Sequence, residues 1–437
     1  MRHPIPLALV AALAVAAPAS AADYPAPSNP GKATGKPKGP FKTYKVAKNG
    51  KYKTIQAAVD KAKAGDTIKV ANGTYKEGVA VKGASKRYIK IIGNVASPSK
   101  VILEGKGLKG AKAQNGVIIN GADNVTVQGM QAQHYLANGF FAVNVTGYTM
   151  DHLKAFLVGA YGLYAFNSKG GTMSNIEAAW NNDSGLYIGQ TPPQSKPIRS
   201  MVKNVVSYGN VLGFSGTNMR YVTITKSKWF NNGLGIVPNA LDSEKYAPPE
   251  DNVITDNDIF WNNFDYFAGA PFKLRPGATG EVAYPVGTGV LLFGGRRDKV
   301  LGNRVWGNYL MGVGSIKQLL LKQADAAELV GNEVRDNVMG KGGADLNGRD
   351  LFYDGSGTDN CFSGNTLASP TVPADGSTFS PCPFSGTNPF NGDAQSEAVG
   401  WSLDPDHEKY WVRNPHQAMT GITPLERYAT YTGPKPK

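Results

Sequence analysis

The sequence predicts an all-β solenoid with coils of about 23 residues, and three observations point to it. Four glycines, Gly116, Gly139, Gly162 and Gly185, stand 23 residues apart. They open the phrases Asn115-Gly-Val-Ile-Ile-Asn, Asn138-Gly-Phe-Phe-Ala-Val, Tyr161-Gly-Leu-Tyr-Ala-Phe and Ser184-Gly-Leu-Tyr-Ile-Gly, with looser copies at Gly213, Gly235, Gly289 and Gly312. A fixed period of this length marks repeats that bury their apolar faces on one another. Second, the residue after each glycine is apolar in every copy: Val117, Phe140, Leu163, Leu186, Phe214, Ile236, Val290 and Val313. Two residues further on, Ile119, Ala142, Ala165, Ile188 and Gly216 are again apolar or small, which is strand alternation. Third, an aromatic residue followed by Asn or Gly and then Asn recurs at Trp180-Asn-Asn182, Tyr208-Gly-Asn210, Phe230-Asn-Asn232, Trp261-Asn-Asn263 and Trp306-Gly-Asn308. Asn tolerates left-handed backbone and hydrogen-bonds along a stack, so these read as stacked turns and not as catalytic groups.

The elements follow in chain order. Residues 1–21 carry Arg2, an apolar run Ile5–Ala17 broken by Pro6, and Ala19-Ser20-Ala21, the signature of a secretory signal cleaved after Ala21. The run is shorter than the roughly 20 apolar residues of a membrane span. No later segment supplies such a run, and no cysteine near the cleavage site offers a lipid anchor. The expectation is an exported, monomeric chain without a membrane span. Residues 22–43 form a Pro-, Gly- and Lys-rich leader. Next, Ile55, Ala58, Val59 and Ala62 fall on one helical face, with Thr54 as N-cap and Gly65 as stop. Strands are expected at Thr67–Ala71, Thr74–Glu77, Tyr88–Ile92 and Val101–Leu103.

The stretch Thr54-Ile-Gln-Ala-Ala-Val, then Gly65-Asp-Thr-Ile-Lys-Val, then Asn72-Gly-Thr-Tyr-Lys-Glu resembles the opening of pectin-lyase-like right-handed parallel β-helix proteins. The resemblance extends over the repeats, about 44–368, and implies a right-handed parallel β-helix whose first coil is capped by the helix. It implies no single activity, because that superfamily holds lyases, hydrolases, esterases, epimerases and non-enzymatic adhesins. The paired-Asp and Arg-Ile-Lys motifs of polygalacturonases are absent, and so are a pectinesterase motif set and the Asp-Pro-His-Asp motif of alginate epimerases. Asp404-Pro-Asp-His407 matches the last only in composition. No catalytic residue is therefore carried over. Residues 369–437 lose the repeat and read as a C-terminal cap and tail.

Cys361 and Cys382 are the only cysteines, and export favours a disulfide between them over two free thiols; no His or further Cys clusters with them to make a metal site. The net charge of +13 is uneven. Residues 22–112 hold 20 Lys and Arg against 5 Asp and Glu, while residues 113–437 are slightly acidic. All but one of those cations are lysine, which suits a solvated face or weak attachment to anionic cell-wall polymer better than nucleic acid.

Strand alternation points Phe141, Tyr164 and Tyr187 away from the core, where a ladder of rings could receive sugars or lie under a loop or the tail. Insertions after the strands, at Gln190–Pro197 and Pro238–Glu250, and a loop at Ala268–Pro285 before the strand at Gly289, gather at one corner and wall this face. Asp183, Asp242 and Glu244 are candidate acids or bases, and Arg275 and Arg296 candidate partners of a uronate. Phe141, Tyr164, Tyr187 and Gln190 are candidate substrate contacts. Acidic loop groups would hold Ca2+ in a lyase; carboxylate pairs would serve a glycosidase. The expected function is acting on or binding polysaccharide along this face. The alternative is a non-enzymatic, cell-wall-associated binding protein. Within the repeats, Asp151-His152 is an adjacent acid–histidine pair, with His152 read as a turn residue.

Overall fold

A computed structural model describes residues 35–264, 284–319, 321, 324–342 and 345–403. The signal segment, most of the leader, Arg275 and the tail beyond residue 403 lie outside the described residues. The fold is a right-handed parallel β-helix. Ten strands stack into one parallel sheet, from Val79–Lys82 and Asn115–Asn120 through Ser184–Gly189 to Met311–Ile316 and Leu351–Tyr353. A second, eighteen-strand sheet wraps the other sides.

The register runs coil on coil. Val117 faces Phe140, which faces Leu163, then Leu186, Phe214, Ile236, Val290 and Val313. All eight are at most 1% exposed, so the residue after each glycine is core, as the alternation requires. The glycines have a separate cause. A Cβ on Gly116 would lie 2.5 Å from the Gly139 carbonyl oxygen, and one on Gly235 would lie 2.3 Å from that of Gly289. Each coil approaches the next too closely there for any side chain.

Three asparagine ladders tie the coils. In one, Asn181 Nδ2 donates to Asn210 Oδ1 (3.0 Å), and the chain continues through Asn232, Asn262 and Asn308 to Asn347. This is the expected stacked turn, with one correction. The sheet aligns Tyr208, Phe230, Phe260 and Trp306, not Trp261 with Trp306. Trp180 and Trp261 instead take the left-handed position that Gly209, Asn231 and Gly307 hold in other coils (φ 58° and 53°). A second ladder runs Asn257, Asn303, Asn337, Asn365. The long strands Val125–Gln133, Thr146–Phe156, Lys169–Ala179 and Ser200–Tyr208 bend at left-handed residues Gly129, His152, Asn175 and Asn204. His152 is thus a turn residue. Its neighbour Asp151 is held below the usual carboxylate range, at about 2, although burial opposes this, because Ser174, His152, Asn175 and Gln128 hydrogen-bond it.

At the N-terminal end, the helix Ile55–Lys61 packs Ile55, Ala58 and Val59 into the core. Thr54 Oγ1 accepts from Ala57 N, and the buried Glu77 carboxylate accepts from Ile55 N (2.8 Å) and Gln56 N (2.9 Å). The helix ends at Lys61, before the expected stop at Gly65; Asp66 takes the backbone N–H groups of Lys63 and Lys42 instead. The helix Gly392–Leu403 sets Ala394 and Ala398 against Leu291, Phe293, Ile316 and Phe352 on the outer side of the ten-strand sheet. Cys361 and Cys382 form a disulfide. No helix among the described residues is long and apolar enough to cross a membrane.

The third ladder carries an exception. Asn252 Nδ2 donates to Asp298 Oδ1 (2.8 Å), Asp298 N donates to Asn332 Oδ1 (2.9 Å), and Asn332 continues to Asn360 and Asn388. A carboxyl thus occupies an asparagine's place, and its buried Oδ2 has no hydrogen-bond partner. Burial pushes Asp298 up to about 7, against the hydrogen bonds from Asn252. Because folding raises this pKa, the stability of the protonated form is complete below the ordinary value near 3.8 and is lost as pH rises towards about 7. Asp298→Asn supplies a neutral donor of the same shape. Its melting temperature should match the parent's near pH 4 and exceed it by several degrees near pH 8. A difference that stays constant over that range would contradict the assignment.

Candidate functional site

The outer side of the ten-strand sheet changes character along the solenoid. Phe141, Tyr164 and Tyr187 are in register on successive strands. Phe141 and Tyr164 stack 4.3 Å apart at 6°, while Tyr187 stands edge-on to Tyr164 at 4.9 Å. Tyr161, from the turn before its strand, packs on both tyrosines at 4.6 Å. Phe141 and Tyr164 remain half-exposed, but Tyr187 is only 3% exposed. The next strands present Ser215 and Val237 in the same row, then Leu291, which the C-terminal helix covers. Of the three rings only Tyr187 is covered, and the C-terminal helix lies further along the face, beyond the rings. A loop closes over Tyr187, and the C-terminal helix closes the far end.

That loop follows the strand Leu234–Asn239. Asn218 Nδ2 donates to the carbonyls of Leu241 (2.8 Å) and Glu244 (2.8 Å), Lys245 N donates to Gln190 Oε1 (3.0 Å), and Arg220 donates to the Tyr246 carbonyl. Gln190 thus orients the loop. The anchoring brings Glu244 onto Tyr187, whose hydroxyl donates to Glu244 Oε1. The other carboxylate oxygen, Oε2, is buried with no hydrogen-bond partner. Room for the Tyr187 ring comes from Gly189, where a Cβ would lie 2.3 Å from Tyr187 Cε1.

The electrostatics follow from this enclosure. Burial pushes the Glu244 carboxyl up to about 7, and the nearby charge of Asp183 pushes the same way; the Tyr187 hydroxyl and a backbone bond pull it down. Tyr187 is driven well above its ordinary value by burial and by the Glu244 charge. Tyr284 is raised by burial and by the charges of Asp183 and Glu244, which puts it in the same neighbourhood. Asp183 itself accepts from Ser184 Oγ (2.8 Å). Glu244 is therefore a carboxyl split between protonated and ionised forms near neutrality, beside a firmly protonated phenol.

Of the residues selected from sequence, the structure brings together Phe141, Tyr164, Tyr187, Gln190, Glu244 and Asp183. Asp242 lies on the exposed outer part of the loop. Arg296 belongs to a different stack: it pairs in register with Glu250, which pairs with Arg220. There, buried Arg220 Nε donates to Glu250 Oε2 (3.1 Å), and Arg297 reaches both Glu250 and Asp251. This stack fastens the loop base. Arg275 lies outside the described residues. Asn218, Tyr161 and Tyr284 were not selected from sequence. Asn218 had a signal, since it occupies the left-handed position held by Asn144, Asn167 and Gln190 in earlier coils. Among the described residues, no group of three or more His, Cys, Asp or Glu is placed to hold a metal ion.

Tyr187→Phe should move the titration midpoint of Glu244 upward, because the hydroxyl bond that favours the carboxylate is gone. Carboxyl-region infrared titration, with Glu244→Gln as the blank, reads it; a midpoint that stays or falls would contradict the pairing.

No family model matches the chain, and no curated protein does. Solved structures do. The A-module of the Azotobacter vinelandii mannuronan C-5 epimerase AlgE4 aligns at TM-score 0.49 and 16% identity, over 72% of this chain and 90% of that one. The catalytic domain of a GH87 alpha-1,3-glucanase aligns at 0.47 and 12%, over 78% and 67%. Pectate lyase Pel9A aligns at 0.39 and 15%, over 75% and 77%. By fold, this chain is a right-handed parallel β-helix, and its own strand register is what carries that conclusion.

Proposed function

We propose that this chain is an exported enzyme that cleaves polysaccharide on the outer side of the ten-strand sheet, with Glu244 as acid/base. The observation that carries the reading is the Glu244 carboxyl, held near neutrality at the end of an outward aromatic platform. A general acid–base group works best when its pKa lies near the working pH. The Phe141–Tyr164 stack offers flat faces to a sugar ring. Asp183 supplies a second carboxyl whose charge acts on Glu244. Two carboxyls flanking a glycosidic bond are the equipment of glycoside hydrolysis. Glu244 would protonate the leaving oxygen, and Asp183 would activate water or stabilise the developing positive charge at the sugar.

Lyase chemistry fits less well. Tyr187 is held too firmly protonated to abstract a proton near neutrality, and Arg296 sits, by its backbone register with Glu250, in the stack at the loop base. Export rests on the sequence of residues 1–21 and on the disulfide. The names of the similar structures, an epimerase, a glucanase and a lyase, accord with a glycan substrate.

The test is a panel of neutral and acidic polysaccharides, followed by reducing-end release and by ultraviolet absorbance of unsaturated product. Reducing ends without unsaturation are expected. Glu244→Gln should lower kcat by about 10²-fold or more with little change in KM. Tyr164→Ala should raise KM about tenfold. Unsaturated product would replace hydrolysis with elimination. Binding without turnover on every polymer would establish the non-enzymatic reading instead.

A further inference from the structure

Between residues 42 and 112 lie sixteen lysines, and fifteen have exposed side chains. Lys86 is the exception and is structural: its ammonium donates to the carbonyls of Val59, Asp60 and Ala62 at the end of the first helix. Arg87 is likewise engaged, with the Gly35 and Ala84 carbonyls. The acids of this segment offset little of that charge at the surface. Asp66 and Glu77 are buried and bind backbone N–H groups, and Glu104 is held by Gln133, His134 and Lys106 N; only Asp60 is exposed. Among the described residues, none of the fifteen exposed lysines forms an ion pair.

Their placement works against the fold. Lys45 and Lys69 face each other in register on adjacent strands; on the next strand Lys90 stands opposite Thr67, two residues off that row and diagonal to Lys69. Like charges opposite one another destabilise a sheet. Nothing in the packing requires lysine at these exposed positions, where a neutral polar residue would serve the strand better. The Lys45–Lys69 rung is about 4.8 Å and the diagonal step to Lys90 about 7–8 Å, so the three cations form a compact patch that a polymer carrying repeated negative charges can span.

We infer that the N-terminal end of the solenoid, centred on Lys45, Lys69 and Lys90, docks an anionic polysaccharide. This second surface lies on the eighteen-strand sheet, away from the Glu244 face. The anionic class follows from the charge. The choice of a glycan rests on the reading of the Glu244 site, and on the scarcity of arginine, whose planar fork serves phosphate and base recognition better than lysine does. Docking of this kind is electrostatic and holds the protein on a charged matrix while the other face works.

The probe is polygalacturonate, with a neutral glucan and duplex DNA in parallel arms, and binding is read calorimetrically at low and high salt. The triple variant Lys45→Gln, Lys69→Gln, Lys90→Gln is compared with Lys203→Gln, Lys226→Gln, Lys228→Gln, exposed lysines on strands of the same sheet in later coils (Lys203 and Lys228) or in the turn between two of them (Lys226). The first triple should weaken polygalacturonate binding about tenfold at low salt, the second should leave it unchanged, and high salt should abolish the difference. Tyr164→Ala, which disables the proposed sugar platform, should keep the parent's salt-sensitive binding, which separates this surface from the proposed catalytic site. Equal loss in both triples, salt-independent binding, or tighter binding of the duplex would overturn the proposal.

Discussion

The structure depends on how closely one coil lies on the next. At Gly116, Gly139, Gly162, Gly213, Gly235 and Gly289 the backbone meets the carbonyl of the following coil's glycine at a distance that excludes a Cβ. Such contact keeps the strands of the ten-strand sheet in register, and the register does the rest. It stacks Val117 to Val313 as a continuous core, sets asparagine above asparagine so that each amide has a partner, and aligns Phe141, Tyr164 and Tyr187 on the outside.

Function follows from the places where this regularity is broken. The loop after Asn239 inserts between two coils, yet the strands on either side keep pairing, with Ile236 facing Val290. The insertion is thus accommodated outward, over the sheet face. Asn218, Gln190 and Arg220 pin it from the coils below. A carboxyl carried on such a loop is desolvated by a scaffold that does not have to move, and this is how an ordinary glutamate acquires a pKa near neutrality. Asp298 shows the same physics without a surface role: a carboxyl in an asparagine's place is forced towards its neutral form.

Much of this was legible in the sequence because period and alternation are local. The glycine repeat set the inward row, the outward rings, and the corner where insertions collect. What the repeat could not supply was distance across insertions. Glu244 and Tyr187 are 57 residues apart, and only the anchoring of the loop brings them together. Arg296 and Glu244 both flank insertions, yet Arg296 stacks on Glu250 because the strand at Gly295 resumes the register one rung after it. The shift of Trp180 and Trp261 has the same origin. One residue more or less before a left-handed turn moves an aromatic side chain out of its row, and sequence spacing alone does not reveal which residue makes the turn.

The central claim is that sugars lie on the Phe141–Tyr164 platform and present a glycosidic bond to Glu244. A crystal structure of Glu244→Gln with a bound oligosaccharide tests it most directly. The account predicts a pyranose ring over the Phe141 and Tyr164 faces, with a bridging oxygen within hydrogen-bond reach of the residue 244 side chain. An oligosaccharide seated on another face, or across the platform with no bridging oxygen near that side chain, would contradict it.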